Sequence, residues 1–470
     1  MITRRHQQRQ LFEVLLGSVE EFVAGLVDPE LQRLDEGLDD EPLVEAVVER
    51  LARRRPGSRK QGRPGTPAEV VLRMLVLKRL KGWSFADTER EVRASLVYRL
   101  LTRVYFERVP DAKTLIRLSG VVGPEGVDAI HRRIVEMARE QGIISGHQAR
   151  VDTTVTETNI HYPTDSSLLA DGVRVLTRAM KRIEAATGVV GRQVRDRRRA
   201  TTRRVLEIGR AARSRVGAAR QQMGRSYRRL LAMTRATARD AERVVSEVAQ
   251  GMRTVATRAA MLLVLGATAY LEAMLPLVGR VIAQTRARIL SGDTHFAEKL
   301  LSLFEPHSEA IRKGKAAKPT EFGKLVKIQE AENQIVVDYA VYERRLPDQD
   351  LLLPTVEAHK WVFGKAPDLL AADRGFFSRR NTRAATEAGV KRVCVPATGR
   401  ISDEQLIEQR QRWFLRGQRM RTGSEGRISV LKRRDGLTRS RYHGMRGIRR
   451  WVGWGVVSNN LWVLITRPQT

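Results

Sequence analysis

Three acids in this chain have the type and setting for chemistry at phosphate esters: Asp152, Asp373 and Glu425. Asp152 sits inside the β-branched, alternating run Ala149-Arg150-Val151-Asp152-Thr153-Thr154-Val155-Thr156, which predicts a strand. Asp373 closes the short apolar run Leu369-Leu370-Ala371-Ala372, a second strand. Glu425 falls in a basic stretch, 404–432, that predicts a helix. Attack in line on a phosphodiester charges both the entering and the leaving oxygen, and two Mg²⁺ ions about 4 Å apart can stabilise both. Mg²⁺ takes hard oxygen ligands, so a few converging carboxylates are the required residue type. By type and spacing alone other acids compete, namely Asp165, Asp171, Asp293 and Asp338. His161 and His295 have no partner motif and read as structural or surface histidines. Lys313-Gly314-Lys315 lacks the glycine spacing of a phosphate-binding loop.

The elements that would position these acids can be read from pattern. Before residue 140 the texture is helical. After an Arg-rich linker, 53–65, Thr66, Pro67 and Glu69 predict a capping-box helix start, with Val70, Val71, Met74, Leu75 and Leu77 behind it at helical spacing. Ser84 predicts a second start and Pro110-Asp111 a third. Short helices, tight turns and many arginines fit a helix-turn-helix DNA reader or a plain helical bundle. A strand follows near residue 150, then a helical block over 168–304. Within that block, 192–229 is extremely rich in Arg, a solvated face or a surface lying along a phosphate backbone. The apolar run 259–278, interrupted by Glu272 and Pro276 and flanked by Arg258 and Arg280, reads as a buried helix and not as a membrane span. Beyond it, 324–328 and 334–339 predict a hairpin, 352–363 a helix, 381–388 a helix closed by Gly389, and 392–395 a strand. The apolar stretch 455–465 predicts a closing helix.

Composition narrows the partner. Lys and Arg total 85 against 53 Asp and Glu, a formal charge of +32, which points to a polyanion and first to nucleic acid. Arg dominates, and its fork suits phosphate oxygens. The single cysteine, Cys394, excludes a disulfide scaffold and cysteine-based zinc fingers and fits a reducing compartment. Residues 1–9 are polar and carry no apolar signal core. At 470 residues with 42% apolar content, the chain predicts two or three folded domains.

Three segments resemble the bacterial insertion-sequence transposases of the DDE class. The run from Val151 through Asp152-Thr153-Thr154 to Asp165 is similar to that family's first-aspartate strand, and Ala371-Ala372-Asp373-Arg374-Gly375-Phe376 to its second-aspartate motif. Arg421, Glu425 and Lys432 keep the family's Arg, Glu and Lys intervals, with Gln418 where a Tyr would stand. Residues 66–118, most clearly Val109-Pro110-Asp111-Ala112-Lys113-Thr114-Leu115, resemble its helical N-terminal domain, and the subgroup is similar to the ISNCY set. The resemblance implies an α/β fold. It comprises an RNase H-like mixed-sheet catalytic core over 145–167 plus 305–470, an N-terminal all-helical DNA-binding domain over 1–140, and a helical insertion over 168–304 after the first core strand. It implies Asp152, Asp373 and Glu425 as catalytic ligands of two Mg²⁺ (or Mn²⁺) ions, and Arg421, Lys432 and Arg374 as DNA contacts. Asn381, near the second aspartate, reads as a further contact or as a helix cap. The implied reaction is cleavage at terminal inverted repeats followed by joining to target DNA. The implied partners are double-stranded DNA and a second copy in a synaptic complex, with no membrane, in the cytoplasm at the nucleoid. A nuclease that hydrolyses without joining, and a DNA-binding protein with a dead core, are the alternative readings.

Overall fold

The computed structural model describes residues 2–4, 27–54, 57, 65–214, 217–312, 319–399 and 401–467. The 53–65 linker, Lys313-Gly314-Lys315 and residues 5–9 lie wholly or mostly outside them. The chain forms two compact units, one from residues 1–159 and 311–470, the other from residues 160–310.

In the first unit, α1 (Pro29–Leu38) and α2 (Glu41–Ala52) each begin behind an aspartate cap, Asp28 and Asp40, with a proline in the first turn. Helix α3 (Ala68–Leu80) starts one residue later than the capping-box pattern predicts, and no side chain caps it. Its first amides, on Ala68 and Glu69, instead donate to the carbonyls of Thr3 and Arg4 at 3.0 and 3.2 Å. That frees Glu69 to turn inward and pair with the fully buried Arg73, which also reaches Asp35 (2.5 Å) and Asp39 (2.8 Å). Helix α4 (Phe85–Ala94) has the capping box Ser84/Asp87, α5 (Leu96–Leu101) is capped by Ser95, and α6 (Ala112–Glu140) by Asp111. Helix α6 bends at Gly123, whose φ of 67° precedes Pro124.

The sheet is mixed. The long strands β1 (Gln148–Glu157) and β3 (Glu321–Glu330) pair antiparallel with Asp152 opposite Ile328. A short strand, β2 (Glu309–Ile311), flanks β3, and β4 (Val336–Val341) pairs antiparallel with β3 across a bulge at Gln329/Glu330. On the other side β5 (Leu369–Ala372) runs parallel to β1, and β6 (Arg392–Cys394) parallel to β5. The predicted hairpin is therefore present as β3 and β4. Helices α11 (Leu352–Phe363) and α12 (Arg379–Glu387) cover one face, where Leu352, Val356 and Ala385 pack on Val151, Val155, Leu370 and Ala372.

Helices α13 (Asp403–Arg410), α14 (Arg412–Arg433) and α15 (Gly444–Thr466) follow. Helix α14 lies on the second face, with Phe414 against Ala371 and Cys394 and Leu431 against Val326 and Ile328. The closing helix α15 begins well before the apolar stretch that announces it. Its buried Trp454, Val457, Leu461 and Ile465 complete the core built by α1, α2, α3 and α6, so the N-terminal helices and the sheet share one unit.

The second unit is a helical bundle. In chain order it comprises α7 (Asp165–Thr187), α8 (Arg198–Arg213), α9 (Gly217–Ala249) and α10 (Arg258–Leu290) around Leu176, Met180, Ile183, Tyr227, Leu230, Leu271 and Val278. Most of the Arg-rich run forms α8 and the start of α9, and α8 buries only Thr201 and Ile208. The reading of 259–278 as a buried helix needs correction. Only Val264, Thr268, Leu271 and Val278 of that run are buried, while Leu262 is 65% and Leu265 54% exposed. The bundle offers one contact stripe to a helix that is apolar nearly all round. By length and composition alone α10 could cross a membrane.

Candidate active site

The parallel pairing of β1 with β5 sets Val151 level with Ala372. The next residues, Asp152 within β1 and Asp373 just after β5, thus stand side by side, with backbones about 4.8 Å apart. Asp373 stands just past the end of β5, and Asp152 lies in the middle of β1, where that strand runs on beyond its last rung with β5. Alternation along a strand assigns their faces. Arg150, two residues before Asp152, donates to the Met420 carbonyl of α14 at 2.8 Å, so Asp152 is on the α14 face. Ala371, two before Asp373, packs against Phe414 of α14, so Asp373 is on that face as well. Each aspartate accepts the next residue's amide, Thr153 N–H to Asp152 (2.6 Å) and Arg374 N–H to Asp373 (2.7 Å), which fixes one carboxylate oxygen.

Helix α14 supplies the third acid. Arg421 lies 3.9 Å from the Asp373 carboxylate and 3.4 Å from that of Glu425, one turn further on. One guanidinium therefore joins the second aspartate to the glutamate, and both carboxylates remain largely exposed, at 51% and 65%. Among the described residues no three His, Cys, Asp or Glu side chains stand close enough together to hold a metal ion. The donor chemistry is right for Mg²⁺, but Arg421 takes the position between Asp373 and Glu425 where a cation would balance them.

The other expected contacts divide. Arg374 is exposed beside Asp373. Lys432 is turned onto the buried carboxylate of Glu321, 3.3 Å away. Gln418, in the place of the family's Tyr, donates to the carbonyl of Cys394 at 3.2 Å and so ties α14 to β6. Asn381 is not the cap of α12; Ser378 is, and the Asn381 side chain donates to the Gln349 carbonyl (2.7 Å). The competing acids are engaged elsewhere. Asp165 is buried against Arg288 (2.9 Å), Asp171 binds Arg174 (2.5 Å) and stands 3.6 Å from His161, Asp338 binds Lys327 (2.7 Å), and Asp293 accepts the amide of His295.

Beside the acids is a cavity that sequence reasoning missed. It measures about 660 Å³ and is lined by Gln148, Arg150, Asn333, Gln334, Gly423, Gly426, Arg427 and Arg467 among others. Gly423 and Gly426 flank Glu425 on α14, and a Cβ on Gly423 would collide with the Arg150 guanidinium. Behind the cavity the buried Glu330 lies between Arg150 (2.7 Å) and Arg427 (3.5 Å). Burial raises the Glu330 pKa despite both arginines, and burial lowers that of Arg427. Glu332 also lines the cavity, its carboxylate held by the amides of Ser145, Gly146 and Gln148, so Arg150, Arg427 and Arg467 face two acids and leave one positive charge in excess. The one signal in the sequence was Arg150, on the same strand face as Asp152.

A mixed sheet that sets two acids side by side, in a chain of charge +32, has the residue types for work at nucleic-acid phosphates. Residues 21–119 match the family model described as Transposase domain (DUF772), so the chain carries a transposase domain, and the resemblance to bacterial insertion-sequence transposases holds. The match ends before Asp152. No curated protein and no solved structure matches the chain.

Proposed function

We propose that this chain is a DDE transposase with an RNase H-like core, cutting DNA at the ends of its element and joining them to target DNA. The observation that carries the proposal is Arg421, which draws Glu425 of α14 to Asp373, itself beside Asp152. The antiparallel β3–β4 hairpin following β1 supports the same core, since the resemblance places those strands directly after the first aspartate. With Arg421 drawn off Asp373 and Glu425 to the substrate phosphate, Asp152, Asp373 and Glu425 would hold two Mg²⁺ ions, which would supply charge stabilisation at the attacking and leaving oxygens. The chain's own residues position the DNA. Arg374 and Arg421 would meet the phosphate at the acids, and the cavity of Arg150, Arg427 and Arg467 would receive the neighbouring one. Gly423 lets the Arg150 guanidinium lie against α14, and Gly426, with open space before it, would let the backbone of DNA come close. A water or a 3′-hydroxyl attacks phosphorus, a new O–P bond forms, and the bond to the leaving oxygen breaks. A second copy would pair the two ends.

The test uses the full chain, Mg²⁺ and a duplex carrying the element's ends. Asp152→Asn, Asp373→Asn and Glu425→Gln should each slow cleavage by about 10³-fold or more, several kcal/mol of barrier, with duplex affinity in a gel shift nearly unchanged. Cleavage surviving in any one of the three would sink the assignment of that acid. Cleaved ends that never appear joined to a target plasmid would leave a nuclease instead of a transposase.

A further inference from the structure

Helix α10 carries an exposed stripe that its own bundle does not cover. Arg258, Leu262, Leu265, Gly266, Ala269 and Glu272 all face outward and recur at the three- and four-residue steps of one helix face. Met261, Leu263 and Tyr270 widen the patch. No charged residue occurs between Arg258 and Glu272, and among the described residues neither has an ion-pair partner. A Cβ added at Gly266 would meet nothing within 4 Å. A long apolar helix face left open in this way marks an interaction surface.

We infer that this face binds the same face of a second copy of the chain, with the two α10 helices antiparallel about a two-fold axis between Leu265 and Gly266. The argument is self-complementarity, which a two-fold interface requires. Reversing the helix about that point sets Leu262 against the partner copy's position 269, an Ala, and Leu265 against position 266, a Gly. Large side chains then meet small ones along the whole stripe. The same reversal brings Arg258 within a residue of the partner copy's position 272, a Glu, at each end of the contact, so both unpaired charges find opposites. Arg258 and Glu272 are about four turns, roughly 21 Å, apart, and the uncharged patch lies between them. A parallel pairing would instead set Arg258 on Arg258 and Glu272 on Glu272. This interface needs neither DNA nor the acids of the sheet, so it stands or falls separately from the catalytic assignment.

The experiment is sedimentation of the full chain, free of DNA, at micromolar concentration. The wild type should be a dimer. Leu265→Glu, which sets two carboxylates at the axis on a residue already exposed in the monomer, should raise the dimer dissociation constant by about 30-fold or more. Arg258→Glu and Glu272→Arg should each weaken the dimer, and the double variant R258E/E272R should restore it, since each exchanged charge again meets its opposite. A monomeric wild type, a Leu265→Glu variant as tightly dimeric as the parent, or a double variant no better than the singles overturns the inference. Flotation of the DNA-free chain with anionic vesicles that disperses the dimer would also overturn it, and would assign the face to a lipid surface.

Discussion

Lys78 is buried on α3, its ammonium 4.5 Å from the ring centroid of Phe85 and 5.7 Å from that of Tyr442. Burial, then the charges of Arg79 and Arg441, lower its pKa to about 7. Between about pH 7 and the ordinary lysine value of 10.5 the unfolded chain binds a proton at this site that the folded chain lacks, so this residue's contribution to stability rises with pH across that window. Below pH 7 the folded chain must carry a buried charge. Lys78→Met, which keeps the stem and removes the charge, should stabilise the fold by about 1–2 kcal/mol at pH 6 and by little at pH 10. Thermal melts of both proteins at the two pH values check this, and a gain that grows towards pH 10 would refute it. Residues of this sort are where sequence reading falls short. Arg73, Lys78 and Arg79 look like solvated charges of a helix, yet all three are buried, because Asp35, Asp39 and Glu69 neutralise Arg73 and the Phe85, Tyr442 and Trp451 rings cover the other two. Apart from Glu69, one turn back in the same helix, those partners are remote in sequence or part of another element. Asp152 and Asp373, by contrast, announced themselves as acids in otherwise apolar or β-branched strands.

At the scale of elements, local signals were legible where the partner is local. Ser84 and Asp111 cap the helices their positions predicted, α11 and β5 lie within the runs that suggested them, and β3 and β4 overlap theirs and run beyond them. Thr66 failed as a cap because Thr3 and Arg4, far earlier in the chain, already satisfy those amides. The 259–278 run misled for a different reason, since hydropathy reports what a helix could bury and not what the fold gives it to bury. Helix α14 is the element on which the proposed activity depends. Its Gly417 lies so close to β6 that a Cβ would stand 2.6 Å from the sulfur of Cys394, whose thiol burial pushes up to about 11. Gly417→Val should therefore lift α14 from the sheet, cost about 1–3 kcal/mol of stability, and cut cleavage by at least about tenfold through displacement of Glu425. Denaturant titration beside the cleavage assay measures both. Lost stability with full cleavage would mean that the seat of α14 does not govern the acid.

Across the whole molecule the charge of +32 is the feature that composition alone revealed, and the transposase-domain match gives it DNA as a partner. If the arginines hold DNA mainly by phosphates, the logarithm of affinity should fall linearly with the logarithm of salt concentration, by about 0.9 for each phosphate neutralised. Six to ten such contacts would cost about 10³ to 10⁵ in affinity between roughly 50 and 200 mM salt. A filter-binding titration gives the slope, and a flat line would assign the charge some other task. The resemblance named the three acids, but the pairing of Arg150 and Arg427 with Glu330 and the cavity beside them emerge only when residues from β1, β3 and α14 meet. No local pattern encodes that meeting.

The pairing of β1 with β3 has a kinetic consequence. Its rungs run from Arg150 and Glu330 to Glu157 and Gly323, and the second compact unit lies in the chain between the two strands. As a floppy loop that segment would add little to the closure cost, since each doubling of length adds only about 0.6 kcal/mol. Its effect is on timing. Residues 160–310 leave the ribosome before β3 exists, and they carry a core of their own that can form first. The strand bearing Asp152 must then wait, unpaired on that side, until the bundle has been made and β3 arrives. Contacts so distant along the chain are slow to form. A substitution deep in α7 or α10 can thus reduce the yield of active protein through the rate of sheet closure, while the molecules that do fold keep an unaltered set of acids.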